Sequence, residues 1–184
     1  MSYSQFDVSR LLRADGEEME RLMEISRGLS WRHFERKIRF YAPGFVRYKS
    51  PHFSSTPTLF PSVSVTGAAC ALKCKHCQGK LLKTMIPAPT PAELMNVCKD
   101  LKERGCIGLL LSGGCLPDGS VPLGRFIGTM SKIKRDLGLK IVAHTGLVND
   151  ETAGRLKEAG IDAALIDIIG SRETISDVYQ LDAG

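Results

Sequence analysis

The sequence predicts an α/β protein: a partial (β/α) barrel of about four βα units over residues 59–184, preceded by a helical extension and linker over residues 1–58. Two observations predict the parallel sheet. Short apolar segments alternate with amphipathic helical segments, and the apolar segments are continuous, as in strands that are buried on both faces. A third observation favours a barrel over a doubly wound sheet: the sequence contains no dinucleotide-binding glycine fingerprint.

The pattern of apolar residues over residues 59–184 predicts four strands and three helices. The predicted strands, all rich in aliphatic side chains, are 63–65, 107–111, 140–143 and 163–169. Thr90, followed by proline and by Glu93, forms a capping box that begins the first helix. Apolar residues at helical spacing predict a second helix over 123–137. Asn149 or the residue after it begins a third helix, which runs to about Ala159. Catalytic groups in a barrel lie where the strands end.

The extension is predicted to contain two helices. Apolar side chains at helical spacing predict the first over about residues 16–27. Gly28 is expected to end it, and Ser30 is expected to begin a second short helix that carries Trp31. A short extended segment is expected over residues 38–41, followed by a linker rich in Ser, Thr and Pro.

Composition and charge exclude several classes of protein. The apolar runs are only a few residues long, far short of the ~20 needed to span a bilayer, and the N-terminus lacks the apolar segment of a signal peptide. We therefore expect a cytoplasmic protein without membrane association. The formal net charge is +5, but the basic residues are not interleaved with aromatic side chains, so no nucleic-acid partner is predicted. The charge indicates a solvated surface or a docking site for an acidic electron-transfer protein.

Three of the six cysteines, Cys70, Cys74 and Cys77, form a C-x3-C-x2-C loop directly after the first strand. In a cytoplasmic protein such cysteines are not expected to form disulfides. Three thiolates in a tight loop can bind three corners of a cubane iron–sulfur cluster and leave the fourth iron open, as a catalytic site requires. Gly67 and Gly79 flank the loop and allow its backbone to fold tightly.

The same loop permits other interpretations. A structural zinc site usually has a second pair of ligands, and here only Cys74 and Cys77 form such a pair, with His76 as a possible donor between them. A c-type haem is excluded because glutamine follows Cys77, and a thioredoxin-like pair leaves Cys70 without a role. A non-enzymatic zinc- or cluster-binding α/β module is therefore the alternative function, and electron transfer alone is a third.

The loop resembles the signature of the radical S-adenosylmethionine (SAM) superfamily, C-x3-C-x-aromatic-C, with His76 at the aromatic position. The resemblance covers about residues 59–184. It implies that the three cysteines hold a [4Fe–4S] cluster and that SAM chelates the open iron. One electron then cleaves SAM to methionine and a 5′-deoxyadenosyl radical, which abstracts hydrogen from a substrate. The cofactor supplies this chemistry, and the protein supplies position and excludes water. His76 would lie near the adenine; the alternative is a surface histidine without a role.

A second motif, Ser112-Gly113-Gly114-Cys115, follows the second strand. Glycine lets the backbone approach a ligand closely. The superfamily commonly has Gly-Gly-Glu here, with backbone groups at the SAM amino group, so the resemblance implies this role for Gly113 and Gly114. Cys115 replaces the glutamate, which puts any carboxylate role in doubt. It is interpreted as a half-buried inert thiol or as a reactive group near the substrate.

Two further polar residues lie near predicted strand ends. His144 follows the third strand and is expected either to contact substrate or SAM or to have a structural role. Asp167 lies between isoleucines in the fourth strand, so it is expected to be mostly buried and to bind ribose hydroxyls or hold a neighbouring loop. Both are candidate cofactor-binding residues. The dispersed Cys98 and Cys106 are predicted to be core residues.

Within the superfamily, the chain resembles the biotin synthase and lipoyl synthase branch, particularly the two-subunit lipoyl synthases. The resemblance is carried by the N-terminal helix and by residues 38–44, 65–67 and 111–115. It implies sulfur insertion into an acyl chain. The implied partners are a ferredoxin- or flavodoxin-like reductant and a second radical SAM subunit or a lipoyl-carrier protein. The sequence has no second cysteine cluster to donate sulfur, which puts sulfur insertion by this chain alone in doubt.

The chain is short for its predicted fold. Radical SAM cores usually have six βα units, and the sequence accounts for four. The fourth strand would be an exposed apolar edge, which natural sheets avoid. We therefore expect the chain to be the N-terminal part of a longer enzyme or to need a partner that covers this edge.

Overall fold

Residues 13–37, 49, 51, 54 and 58–182 are described by the structure, a computed structural model. The chain divides into two compact units, Met1–Ala42 and Pro43–Gly184. The domain division after residue 58 stays a prediction, and the extended segment over residues 38–41 lies outside the described residues. Within the described part, no helix is both long and apolar enough to cross a membrane.

In the first unit, residues 13–37 are described and contain one continuous helix, α1, Gly16–Phe34. Asp15 caps it, because its side chain accepts a hydrogen bond from the backbone N–H of Glu18 at 2.9 Å. The prediction of two helices separated at Gly28 is wrong. A single glycine costs only about 1 kcal/mol in a helix interior, so α1 continues through it and ends before Glu35, whose φ is 63°.

The second unit is built on a five-stranded parallel sheet in the order β2-β1-β3-β4-β5. Its strands are β1 (Ser62–Ser64), β2 (Ile86–Pro87), β3 (Gly108–Ser112), β4 (Lys140–His144) and β5 (Ala163–Leu165). The four predicted strands correspond to β1, β3, β4 and β5. The sequence does not predict β2, because it has only two residues and one is proline, which is confined to sheet edges. The α/β architecture with a parallel sheet is as predicted.

Helices lie between the successive strands from β2 to β5, and one short helix follows β5. They are α2 (Pro91–Glu103), α3 (Ile127–Lys132), α4 (Asp150–Glu158) and α5 (Arg172–Thr174), with short helical turns at Lys80–Thr84, Gly124–Phe126, Ile133–Leu137 and Ile175–Tyr179. The predicted capping box begins α2: Glu93 N–H donates to Thr90 Oγ1 at 3.2 Å, and Thr90 N–H donates to Glu93 Oε2 at 2.9 Å. Asn149 caps α4 by accepting the N–H of Thr152 at 2.8 Å. Both predicted helix starts are confirmed.

Strands and helices share one apolar core. Buried strand residues such as Leu109 and Ile141 belong to the same cluster as Met130 of α3. Cys98 and Cys106 belong to it with exposures of 0% and 3%, which confirms their predicted core positions. Burial, followed by the nearby Cys106 sulfur, raises the pKa of the Cys98 thiol to about 12. A buried thiol of this kind is an inert packing group.

β5 forms an exposed edge of the sheet. Leu165 is 45% exposed and Ile168 is 93% exposed, which confirms the predicted apolar edge. The strand ends at Leu165 rather than at residue 169. The side chain of Asp167 is 55% exposed, so the prediction that this carboxylate is mostly buried is wrong. Apolar neighbours in sequence bury a carboxylate only where another layer packs on them, and the described residues provide no such layer at Ile168.

Asp162 anchors the start of β5. Its carboxylate accepts hydrogen bonds from the backbone N–H of Ile141 at 2.7 Å and from the ammonium group of Lys134 at 2.6 Å. Partial burial opposes ionisation, but Lys134 and the Ile141 amide together hold the pKa of Asp162 below its ordinary value. The carboxylate thus ties β5 to β4 and to the helical segment that precedes β4.

Replacing Asp162 with Ala should lower the free energy of unfolding by about 1–2 kcal/mol at neutral pH, because Ile141 and Lys134 both lose their partner. A carboxyl group whose pKa is lowered on folding stabilises the protein above its unfolded-state pKa. That contribution is lost as the pH falls through the folded-state pKa. The difference between the two proteins in urea unfolding should therefore shrink below about pH 4. Asp136→Ala, in the exposed pair with Arg135, is the control and should have no measurable effect; equal losses would contradict the prediction.

Candidate functional site

All of the candidate site residues line one cavity of about 390 Å³ where the parallel strands end. They are Cys70, Cys74, His76, Cys77, Gly113, Gly114, Cys115, His144 and Asp167. They come together because the carboxyl ends of β1, β3, β4 and β5 meet at one edge of the sheet, as in other parallel α/β folds. The rest of the lining is mostly aliphatic. A cavity of this size and composition suits an organic molecule that is held by a few polar groups.

The cysteine loop begins and ends at glycines. Gly67 and Gly79 have φ angles of 59° and 69°, which side chains with a Cβ rarely adopt. Between them, the backbone carbonyl of Cys74 accepts the N–H of Cys77 at 3.2 Å and closes a turn. Cys74 is buried, and Cys70 and Cys77 are half-buried. The three thiols are therefore shielded from bulk water but accessible from the cavity.

Gly114 packs so closely on this loop that only glycine fits. A Cβ at Gly114 would lie 2.6 Å from both the Cα and the Cβ of Cys70 and would overlap the backbone oxygen of Ala69. The N–H of Gly114 donates to Thr66 Oγ1 at 2.7 Å, and that hydroxyl donates to the Ala69 oxygen at 2.8 Å. The sequence indicates close approach of this backbone to a ligand. The structure shows that Gly114 approaches the loop that carries the predicted cluster ligands.

The three thiols line the same cavity, as ligands of one cluster must. Among the described residues, no group of three or more His, Cys, Asp or Glu side chains converges tightly enough to hold one metal ion. A cubane cluster binds each thiolate at a different iron, so its ligands stand further apart. Burial, and then charge on Cys77, raises the pKa of the Cys74 thiol. A thiolate at Cys74 is therefore favoured by nearby positive charge, which the iron atoms of a cluster would supply.

Cys115 lies in the cavity beside the loop and is half-buried, as predicted. Burial, and then the charges of Cys70 and Cys74, raise the pKa of its thiol to about 11. A thiol with this pKa is protonated at neutral pH and is a poor nucleophile. Its backbone carbonyl accepts the N–H of Ala71 at 2.9 Å. The contribution of Cys115 that the structure shows is thus a second backbone link between the β3 end and the cysteine loop.

His144 and Asp167 provide the polar side of the cavity. The Nδ1 atom of His144 lies 3.2 Å from Ser112 Oγ, and its Nε2 atom lies 3.8 Å from Asp167 Oδ2. Sequence reasoning did not single out Ser112, although it begins the Gly-Gly motif. Because Asp167 is exposed, its carboxylate is accessible to the hydroxyl or amino groups of a ligand.

A segment near the described C-terminus, residues 175–181, packs on the cysteine loop; we name it the C-terminal clasp. The backbone N–H of Lys75 donates to the carbonyl of Val178 at 2.8 Å. The thiol of Cys74 donates to the carbonyl of Tyr179 at 3.3 Å. Sequence reasoning missed this segment, because the contact joins residues 105 positions apart and neither side carries a local signal for it.

Tyr179 is the main side-chain contact of the C-terminal clasp. Its ring centroid lies 4.9 Å from that of His76, and its hydroxyl lies 3.5 Å from Asp167 Oδ2. Leu181 of the same segment packs with Leu72 and with the buried thiol in the loop. The side chain at the aromatic position of the loop is therefore supported by a second ring, which the sequence does not predict.

The family profile described as "Radical SAM superfamily" matches residues 64–180 of the chain. This range is more than half of the chain and contains every candidate site residue. The chain belongs to the radical SAM superfamily. Radical SAM enzymes use a [4Fe–4S] cluster and S-adenosylmethionine, so the chain is an enzyme of this class with these two cofactors. No curated protein sequence matches the chain.

The residues of this radical SAM chain fit the cluster. Its three thiols lie at one cavity, each partly shielded from water, and the loop that carries them is fixed by Gly114 and Thr66. These thiols would hold the cluster, which supplies the electron that cleaves the sulfonium bond of SAM. The cavity beside them offers an imidazole and a carboxylate to a polar ligand and aliphatic side chains to an apolar one.

Replacing Gly114 with Ala should lower the stability by about 1–3 kcal/mol, because the added methyl overlaps the backbone at Cys70. The displaced loop should also lose most of the iron bound after anaerobic reconstitution, measured per chain. Gly154→Ala is the control. Gly154 lies within α4 with open space around it, so Ala should be neutral or stabilise by about 0.5–1 kcal/mol and leave iron binding unchanged. Wild-type iron content in Gly114→Ala would show that the close approach does not position the ligands.

Replacing Tyr179 with Ala should lower the stability of the cluster-free chain by about 0.5–1.5 kcal/mol through loss of the ring pair with His76. It should also speed hydrogen exchange at the Lys75 amide, which is bonded to the C-terminal clasp. Tyr179→Phe keeps the ring and loses only a long hydrogen bond, so both measurements should stay near wild type. Equal losses in the Ala and Phe variants would instead assign the effect to the hydroxyl.

Proposed function

We propose that this chain uses the cluster bound by Cys70, Cys74 and Cys77 to cleave SAM and that the resulting 5′-deoxyadenosyl radical abstracts hydrogen from an aliphatic carbon of its substrate. The observation that carries the proposal is the single cavity that all the candidate residues line. Its polar groups lie on one side, at His144 and Asp167, and suit the amino acid and ribose parts of SAM.

Apolar side chains also shield one side of the reactive centre from water. Leu72, Cys74 and Leu181 form a small buried cluster beside the thiols. The C-terminal clasp covers the outer turn of the loop through Val178 and Tyr179. A carbon radical requires this exclusion, because solvent access permits side reactions. The protein's part in the chemistry is thus to position the ligands, orient SAM and keep the substrate carbon in an apolar environment.

We further propose an aliphatic acyl substrate and sulfur insertion, in line with the resemblance to biotin synthase and lipoyl synthase. The support is the aliphatic lining of the cavity, which includes Leu82, Met85 and Leu110 and suits a hydrocarbon chain. A lipoyl-carrier protein would present such a chain. Because the sequence lacks a second cysteine cluster, a second radical SAM subunit would supply the sulfur. A ferredoxin- or flavodoxin-like protein would supply the electron, with the cytoplasm as the predicted location.

Anaerobic reconstitution with iron and sulfide tests the proposal. We expect a brown protein with about four irons and four sulfides per chain, a reduced-state EPR signal that changes when SAM is added, and release of 5′-deoxyadenosine under dithionite. Each of Cys70→Ala, Cys74→Ala and Cys77→Ala should abolish cluster retention, because each removes one of three ligands. Cys98→Ala, which alters a buried core thiol, is the matched control and should retain the cluster.

Three outcomes would contradict this assignment. Loss of the cluster in Cys98→Ala would make the ligand set wrong. Stoichiometric zinc that survives anaerobic iron reconstitution would favour a non-enzymatic zinc module. A stable cluster without 5′-deoxyadenosine, in a chain that includes any residues beyond Gly184, would favour electron transfer alone.

A further inference from the structure

Acidic residues are missing from a long part of the sequence around the cysteine loop. Between Glu35 and Glu93 there is no Asp or Glu, although the chain contains 20 acidic residues in all. The described part of this range contains four lysines within or just after the loop: Lys73, Lys75, Lys80 and Lys83, together with Lys37 and Lys49 further upstream. The charge of the protein is therefore unevenly distributed, and the loop region is strongly basic.

These four loop lysines are exposed and form what we call the lysine face. Lys73 and Lys75 flank Cys74, and Lys80 and Lys83 belong to the helical turn that follows Cys77. Within the described part of the chain, none of the four forms an ion pair. No carboxylate of the described residues therefore lies within ion-pairing distance of them, and their ammonium groups are available to a partner.

The lysine face lies beside the cysteine ligands in sequence but contributes no residue to the reactive cavity. The cavity lining includes Cys74, His76, Cys77 and Leu82, but none of the four lysines. Ligand thiols and exposed lysines thus follow one another along the same loop. The cavity lining suits SAM and substrate, whereas the lysines provide an exposed charged surface within a few residues of the ligand thiols.

We propose that the lysine face is the docking surface for an acidic protein that delivers one electron to the cluster. This inference rests on the proposed function, because only a redox cluster needs such a partner. The donor loses one electron and the cluster gains it, passing from the 2+ to the 1+ state, with no other bond made or broken. Complementary charge would bring the donor to the part of the surface nearest the thiols and raise the association rate.

Two features favour an acidic protein over a nucleic acid. Single-stranded nucleic acids are held by aromatic side chains interleaved with basic ones, and His76 is the only ring within residues 70–83. That ring lies against Tyr179 and lines the cavity. Lysines without stacking partners are suited to exposed carboxylates, which they attract as point charges.

The test uses the double variant Lys80→Gln/Lys83→Gln, because neither residue contacts the cavity. Lys99→Gln/Lys132→Gln, which removes two exposed lysines from α2 and α3, is the charge-matched control. The probe is an acidic ferredoxin, reduced and freed of excess reductant, and stopped-flow bleaching of the cluster gives the reduction rate. We expect a rate about tenfold lower than wild type at low salt for the first pair, a shallower salt dependence, and a wild-type rate for the control pair. Equal rates for the two pairs would overturn the proposal.

Two further measurements separate this proposal from the proposed function. Reduction by dithionite should be the same in all three proteins, because this small reductant does not need a docking surface. Absence of SAM cleavage by the dithionite-reduced wild type would refute the function but not the docking. Binding is measured separately from electron transfer by titrating the cluster-free chain into isotope-labelled ferredoxin. The double variant Lys80→Gln/Lys83→Gln should bind more weakly than wild type. Tighter binding of a single-stranded RNA oligonucleotide than of ferredoxin at the same ionic strength would overturn the docking assignment.

Discussion

The close approach of Gly114 to Cys70 is the contact on which the site depends. β1 and β3 are paired in parallel with Ser64 opposite Ser112, so the segments that follow them leave the sheet at the same level. One segment carries the cysteine loop, and the other carries Gly114 two residues further on. The Thr66 hydroxyl then joins them through a 2.7 Å hydrogen bond. The strand register, together with the absence of a side chain at Gly114, therefore positions the predicted cluster ligands through contacts within the chain itself.

Local chemistry explains why much of the fold could be predicted from the sequence. The capping box at Thr90 and the cap at Asn149 each depend on residues three positions apart, and both occur as predicted. Parallel strands end at the same edge of a sheet, so residues as distant in sequence as Cys70 and Asp167 were expected near one another. The structure places both in the lining of one cavity. Spacing and topology together thus define most of the site without any knowledge of packing.

Tertiary context decides the features that the sequence did not predict. The contact between Cys74 and Tyr179 joins distant parts of the chain, and no periodicity indicates it. The run around Asp167 is apolar enough to suggest burial, but burial also depends on what lies beyond β5, and the described residues leave Ile168 93% exposed. At Gly28 the local signal was given too much weight. Glycine disfavours the helix only slightly, and the helix-forming residues on both sides of it are enough to keep α1 continuous.

The lysines and the thiols of the loop are also linked electrostatically. A cluster bound by three thiolates carries a net negative charge, and reduction makes it more negative. Lys73 and Lys75 directly flank the ligand Cys74 and form no ion pair among the described residues. Their positive potential stabilises the reduced state more than the oxidised state, because the interaction grows with the charge on the cluster. The same charges that attract an acidic donor therefore also favour transfer of its electron, and one short loop can serve ligand binding, donor docking and reduction together.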